Sequence, residues 1–150
     1  MRLSYIPDSL GYMKLDDMLD TVYSLGVEAI ELTTGNWSSA PHINLDELVS
    51  NGEARKALQE SFESRGMNIV ALNCSGNPLA FKKDMEVTLK TFQLAEQLGI
   101  KKIVMMSGLP PGCKEDVTPV WVTTSWPSIT QDILKYQWEE VAIPHLEKSH

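Results

Sequence analysis

Positive charge is in short supply: 13 Lys and Arg stand against 20 Asp and Glu, a net charge of −7 over 150 residues. Neutralising phosphates needs a surplus of Lys and Arg, so this balance argues against a nucleic-acid partner. Cysteine is scarce too. Cys74 and Cys113 sit in no Cys-x-x-Cys spacing, and two thiols build no disulfide framework. Long apolar runs are missing, and nothing approaches the roughly 20 residues a membrane helix needs. Met1-Arg2-Leu3-Ser4-Tyr5-Ile6-Pro7 is too short and too polar for a leader or anchor. The expectation is a cytoplasmic protein with reduced thiols and no membrane partner. Histidine is limited to His42, His145 and His150, with no metal-ligand spacing among them. No Gly-x-Gly-x-x-Gly follows an early strand, which speaks against a dinucleotide site.

What is present is a unit that recurs. An amphipathic stretch stops at a glycine, a short apolar run follows, and a polar loop comes next. Gly26-Val27-Glu28-Ala29-Ile30-Glu31-Leu32 is one copy, Gly66–Asn73 a second and Gly99–Ser107 a third. A first strand is expected over Leu3–Ile6, stopped by Pro7. A helix follows over Tyr12–Leu25, with Leu15, Met18, Leu19, Val22 and Leu25 spaced to form one buried face. Strands are expected over Val27–Leu32, Asn68–Asn73 and Lys102–Met106. Further helices are expected over Leu45–Arg65, interrupted near Asn51-Gly52, and over Asp84–Leu98, where Met85, Leu89, Phe92, Ala95 and Leu98 share a face. Ser107–Ser128 is a long irregular stretch of the kind that often carries function. A last helix spans Ile129–Val141, and Pro144 kinks or ends it.

Alternating strands and helices imply a parallel sheet covered by helices. The loops after the second, third and fourth strands are long, polar and aromatic, while the turns before the strands are little more than a glycine. That asymmetry fits a (β/α) barrel, whose chemistry gathers at the strand C-termini. The fold class is therefore α/β: parallel (β/α) units forming about half of a TIM barrel, four strands and four helices in one domain over residues 1–150. A barrel needs eight units, so the expectation is a chain shortened before strand five. The alternative is a natural half that pairs with a copy of itself or a complementary half-barrel.

Specific stretches then accumulate in order: Gly35-Asn36-Trp37-Ser38-Ser39-Ala40-Pro41-His42, Ala71-Leu72-Asn73-Cys74-Ser75-Gly76-Asn77-Pro78-Leu79, Met106–Pro110, Thr124–Pro127 and Tyr136–Glu140. Together they resemble the N-terminal half of the sugar phosphate isomerase/epimerase family, among the xylose isomerase-like TIM barrels. The resemblance runs to about Pro144. It implies a parent enzyme that moves a proton beside a carbonyl of a sugar or polyol, with a divalent metal (Mn, Mg, Zn or Co). The metal ligands are expected on strands five to eight, so this chain is expected to bind none itself. Two departures stand out: Ala80-Phe81 replaces the usual His-Pro, and His145-Leu146 replaces Tyr-Trp. An abasic-site endonuclease-like relative shares the fold, but the acidic balance weighs against it.

The candidate substrate contacts are His42, Asn73, Ser75, Asn77, Ser107, Glu31, Trp37 and Trp126, with no catalytic residue assigned. His42 could bond a sugar hydroxyl or shuttle a proton, or simply bond backbone. Glu31 could bind hydroxyls, but strand alternation leaves its direction open. Asn73, Ser75, Asn77 and Ser107 suit a polyol, and equally suit turn chemistry. Trp37, Trp121 and Trp126 could stack on sugar C–H faces or plug the barrel mouth. Cys74 reads as a packed thiol, Trp138 and Tyr136 as core, and Asp16-Asp17 and Glu139-Glu140 as solvated helix faces.

Overall fold

The computed structural model describes residues 3–148. Met1 and Arg2, part of the stretch read for a leader, and the chain-end His150 lie outside the described residues. Among those described, β1 (Ser4–Tyr5), β2 (Ala29–Thr33), β3 (Asn68–Asn73) and β4 (Ile103–Val104) form one sheet in the order β1-β2-β3-β4, every neighbouring pair parallel. Sequential order with helical crossovers is the arc of a barrel, whereas a doubly wound sheet reverses its order at a switch point. The half-barrel topology expected from the sequence is the one observed. The helices are α1 (Leu15–Ser24), α2 (Leu45–Ser50), α3 (Gly52–Glu63), α4 (Lys82–Leu98), α5 (Ile129–Lys135) and α6 (Ile143–Lys148).

The chain divides into two compact units, Met1–Gly76 with Glu86–Met105, and Asn77–Met85 with Met106–His150. In the first, Ile30, Leu32 and Leu72 of the strands pack against Met18, Leu19 and Val22 of α1, Phe62 of α3 and Leu94 of α4. The helix-ending glycines Gly26, Gly66 and Gly99 have φ of +80°, +67° and +69°, the left-handed conformation that only glycine adopts cheaply. Asn51 separates α2 from α3 where the interruption was expected, its side chain accepting from the N–H groups of Glu53 and Ala54. Arg65, just past α3, ties back to α1. Its guanidinium grips both carboxylate oxygens of Asp20 and reaches Asp16 at 3.1 Å.

That grip holds the Asp20 carboxyl below its ordinary value of 3.8, chiefly through the Arg65 hydrogen bond. A depressed carboxylate contributes stability in full above its unfolded pKa and loses it as pH falls through the folded one. Asp20→Asn should therefore lower Tm at neutral pH, and the gap from wild type should close as the pH drops below the carboxylate range. Thermal melts at stepped pH check this.

Several elements depart from expectation. α1 ends at Ser24, so Leu25 falls outside its buried face and is 76% exposed. β4 is two residues long rather than Lys102–Met106, because β3 pairs with it only at Leu72 and Asn73. The buried face of α4 is turned from the expected one: Ala95 is buried and Leu98 packs against the core as expected, but Thr88, Thr91 and Leu94 join them inside while Leu89 is exposed. The reason is polar. Thr91 Oγ1 meets Thr34 Oγ1 at 2.7 Å and donates to Val87 O, so threonines serve groups at the strand ends.

In the second unit, Pro111 and Pro119 form an isolated antiparallel bridge within the long irregular stretch. Gln137 is buried, and its Nε2 donates to Pro110 O at 3.0 Å and Val120 O at 2.7 Å. It lies on a π-helical segment, Tyr136–Ala142, that joins α5 to α6. Of the two outcomes expected at Pro144, a kink or an end, the helix does not end there. The proline falls in the first turn of α6, where a missing N–H is tolerated, and the preceding turn closes by an Ile143 N–H to Trp138 O bond. Trp138, expected in a core, is 61% exposed, because the residue this segment turns inward is Gln137.

Candidate functional site

Ile30, Leu32 and Leu72 face the helices, so alternation puts Glu31, Thr33, Ala71 and Asn73 on the opposite face of the sheet. A register shift between Ile30 and Glu31 aligns Glu31 with Ala71 and Thr33 with Asn73. The direction of Glu31, open in the sequence, is thus away from the helices. There Asn73 Nδ2 donates to Glu31 Oε1 at 2.6 Å. Asn73 Oδ1 in turn accepts from the Ser75 N–H at 3.0 Å. One amide side chain bridges the carboxylate of one strand and the loop after the next. Beside it, Thr33 Oγ1 donates to Asp8 Oδ1 at 2.6 Å. Sequence reasoning missed Asp8 and Thr33. The available signal was that both lie near strand C-termini, Asp8 in the turn after β1 and Thr33 as the last residue of β2.

The loops beyond β2 and β3 extend the strand pairing. Thr34 N–H donates to Asn73 O at 2.8 Å and Trp37 N–H to Ser75 O at 3.0 Å. Asn36 Nδ2 donates to Cys74 O at 2.8 Å. Gly76 allows this closeness: a Cβ there would lie 2.7 Å from Asn36 Cβ. Trp37 is 67% exposed on this latched loop. Cys74 is buried beneath it, and burial pushes its thiol pKa up against the opposing hydrogen bonds of Thr88 and Thr91. That is a packed thiol, not an activated nucleophile.

The remaining candidates fall elsewhere. His42 is buried, its Nε2 lies 3.3 Å from Leu10 O, and its Nδ1 has no hydrogen-bond partner among the described residues. With Leu15, Leu48 and Leu58 it lines a cavity of about 290 Å³ in the helical layer. No described contact joins it to Glu31 or Asn73. Asn77, Ser107 and Trp126 belong to the second unit. Both polar atoms of the Asn77 side chain are taken by one backbone residue: Nδ2 donates to Leu109 O at 2.9 Å and Oδ1 accepts from Leu109 N–H at 2.8 Å. Ser107 is exposed at the rim of an apolar cavity, and Trp126 is 79% exposed. The structure therefore gathers Glu31, Asn73 and Ser75 in one place, with the Trp37 backbone N–H bonded to Ser75 O.

Among the described residues, no three His, Cys, Asp or Glu side chains converge as a metal centre would require. No helix among the described residues is long and apolar enough to cross a membrane.

No family model matches the sequence. A curated relative, "Uncharacterized protein YfiH" of Bacillus subtilis (strain 168), is 51% identical over 154 residues, covering 99% of this chain and 49% of the relative. The chain thus spans about half the length of the curated relative it matches. Among solved structures, the crystal structure of a xylose isomerase domain containing protein from Salmonella typhimurium LT2 matches with a TM-score of 0.48 at 15% identity, covering 89% of this chain and 43% of that one.

Proposed function

We propose that this chain supplies a substrate-binding wall of a sugar or polyol isomerase/epimerase-like barrel. The observation that carries the reading is the Glu31–Asn73 contact of 2.6 Å between the middle of β2 and the C-terminal end of β3, on the face turned away from the helices. Sugar recognition needs acceptors and donors fixed side by side, because each ring hydroxyl is both. Glu31 Oε1 is held by Asn73, while Oε2 carries no hydrogen bond among the described residues and is open to a hydroxyl pair. Asn73 is itself pinned by Ser75, so the carboxylate is oriented before any ligand arrives, which lowers the ordering cost of binding. Trp37, exposed on the loop whose backbone bonds Ser75 O, could add an apolar face for sugar C–H groups.

The sequence resemblance supports the same reading and adds a divalent metal to the whole protein. The resemblance places the metal ligands on strands beyond this chain, and proton transfer is assigned to none of the residues here. The ligand is a small sugar or polyol, free or phosphorylated, and nucleic acid is disfavoured by the net charge of −7.

Calorimetric titration of the 150-residue chain with a panel of aldoses, ketoses and cyclic polyols tests this. At least one should bind saturably. Glu31→Gln should weaken that binding by roughly tenfold, the ordinary value of one charge-assisted hydrogen bond. No binding across the panel, or equal binding by the variant, would sink the proposal.

A further inference from the structure

His42, buried in the helical layer, has half of its hydrogen-bonding capacity unused. It is 9% exposed, and its Nδ1 is a buried polar atom with no partner among the described residues. The other ring nitrogen is committed. Nε2 lies 3.3 Å from Leu10 O, and a carbonyl only accepts, so Nε2 carries the proton. In the neutral ring Nδ1 is then a bare acceptor, a kind of buried group that folded proteins seldom leave unmatched. The chain beside the ring is held too: a Cβ on Gly11 would lie 3.0 Å from Pro41 Cγ.

His42 lines a groove of about 290 Å³ among the start of α1, α2 and α3. Leu15, Leu48 and Leu58 give it apolar walls. On α3, Ala54, Ala57, Leu58 and Ser61 share one face at helical spacing, and the two alanines keep the groove open. Roughly 150 Å³ of apolar cavity is enough to hold a benzene ring. We infer that this groove binds a small neutral alcohol or phenol, its hydroxyl donating to His42 Nδ1 and its hydrocarbon body lying on the leucines. The chemistry selects this class. A bare acceptor needs a donor, and an ionised carboxylate has none. Glu47, also on the groove, repels anions. The apolar walls make a charged amine costly to bury. The inference does not depend on what Glu31 and Asn73 bind.

The test titrates the full chain, ¹⁵N-labelled in its histidine rings, with phenol and separately with toluene. Phenol should move the His42 Nδ1 resonance saturably in the millimolar range. It should bind roughly tenfold tighter than toluene, the value of one added hydrogen bond. A groove that is merely apolar would prefer toluene, so toluene binding as tight as phenol or tighter overturns the inference. So does a His42 Nδ1 signal that phenol leaves in place, the result expected if water alone serves the nitrogen. Ala57→Leu fills the groove from an exposed position, so its circular dichroism should match wild type while its phenol affinity falls by roughly tenfold or more. Undiminished phenol binding by that variant also overturns the inference.

Discussion

Gly108→Ala is expected to destabilise the protein by about 2–4 kcal/mol, one of the two largest effects of any single change considered. Gly108 has φ of +97°, which costs a residue with a side chain roughly 1–3 kcal/mol on its own. A Cβ there would lie 2.6 Å from Asn77 Oδ1 and 3.1 Å from the Leu79 backbone nitrogen. The first of these is the oxygen that accepts from Leu109 N–H. The substitution therefore adds backbone strain and pushes on the side chain that pins the loop. Asn77→Ala attacks the same bridge from the other side, leaving the Leu109 N–H and C=O without their partner, at a cost of about 1–3 kcal/mol. Because both changes act on one contact, their effects should fall well short of additive in the double variant. Urea unfolding of the three variants measures this. A Gly108→Ala protein within about 0.5 kcal/mol of wild type, the range of ordinary surface changes, would contradict the bridge.

Leu94→Ala should cost about 2–5 kcal/mol, and Leu89→Ala no more than about 0.5 kcal/mol. Both leucines lie on α4. Leu94 is fully buried in the core with Leu32 and Leu72, while Leu89 is 50% exposed. Apolar spacing alone assigns Leu89 to the inner face, so the pair of variants separates the observed rotation of the helix from the expected one. Equal losses would restore the expected face.

That contrast shows where the sequence was legible. Glycine at the end of each amphipathic stretch marked Gly26, Gly66 and Gly99 correctly, because a positive φ leaves so few residues to choose from. The strand Asn68–Asn73 and the break at Asn51-Gly52 were readable for similar local reasons. The inner face of α4 was not. Its threonines bury because Thr34 and Asn36 need hydrogen-bond partners, and those residues lie more than fifty positions away. Gln137 was hidden for the same reason: the carbonyls of Pro110 and Val120 that it serves belong to a loop without periodicity. At the site, residue type pointed to Glu31, Asn73 and Ser75, but only the register shift between Ile30 and Glu31 joins the carboxylate to the amide. Asn77, chosen on the same chemical grounds, has its side chain spent on Leu109.

Whether the Glu31–Asn73 pair is a ligand face is read most directly from side-chain amide resonances in a ¹⁵N-labelled chain titrated with the sugar or polyol that binds. The Asn73 Nδ2 signal, held at Glu31, should move in a saturable way, and the Asn77 Nδ2 signal, held at Leu109 O, should stay put. Movement at Asn77 with a silent Asn73 would contradict the assignment of the site.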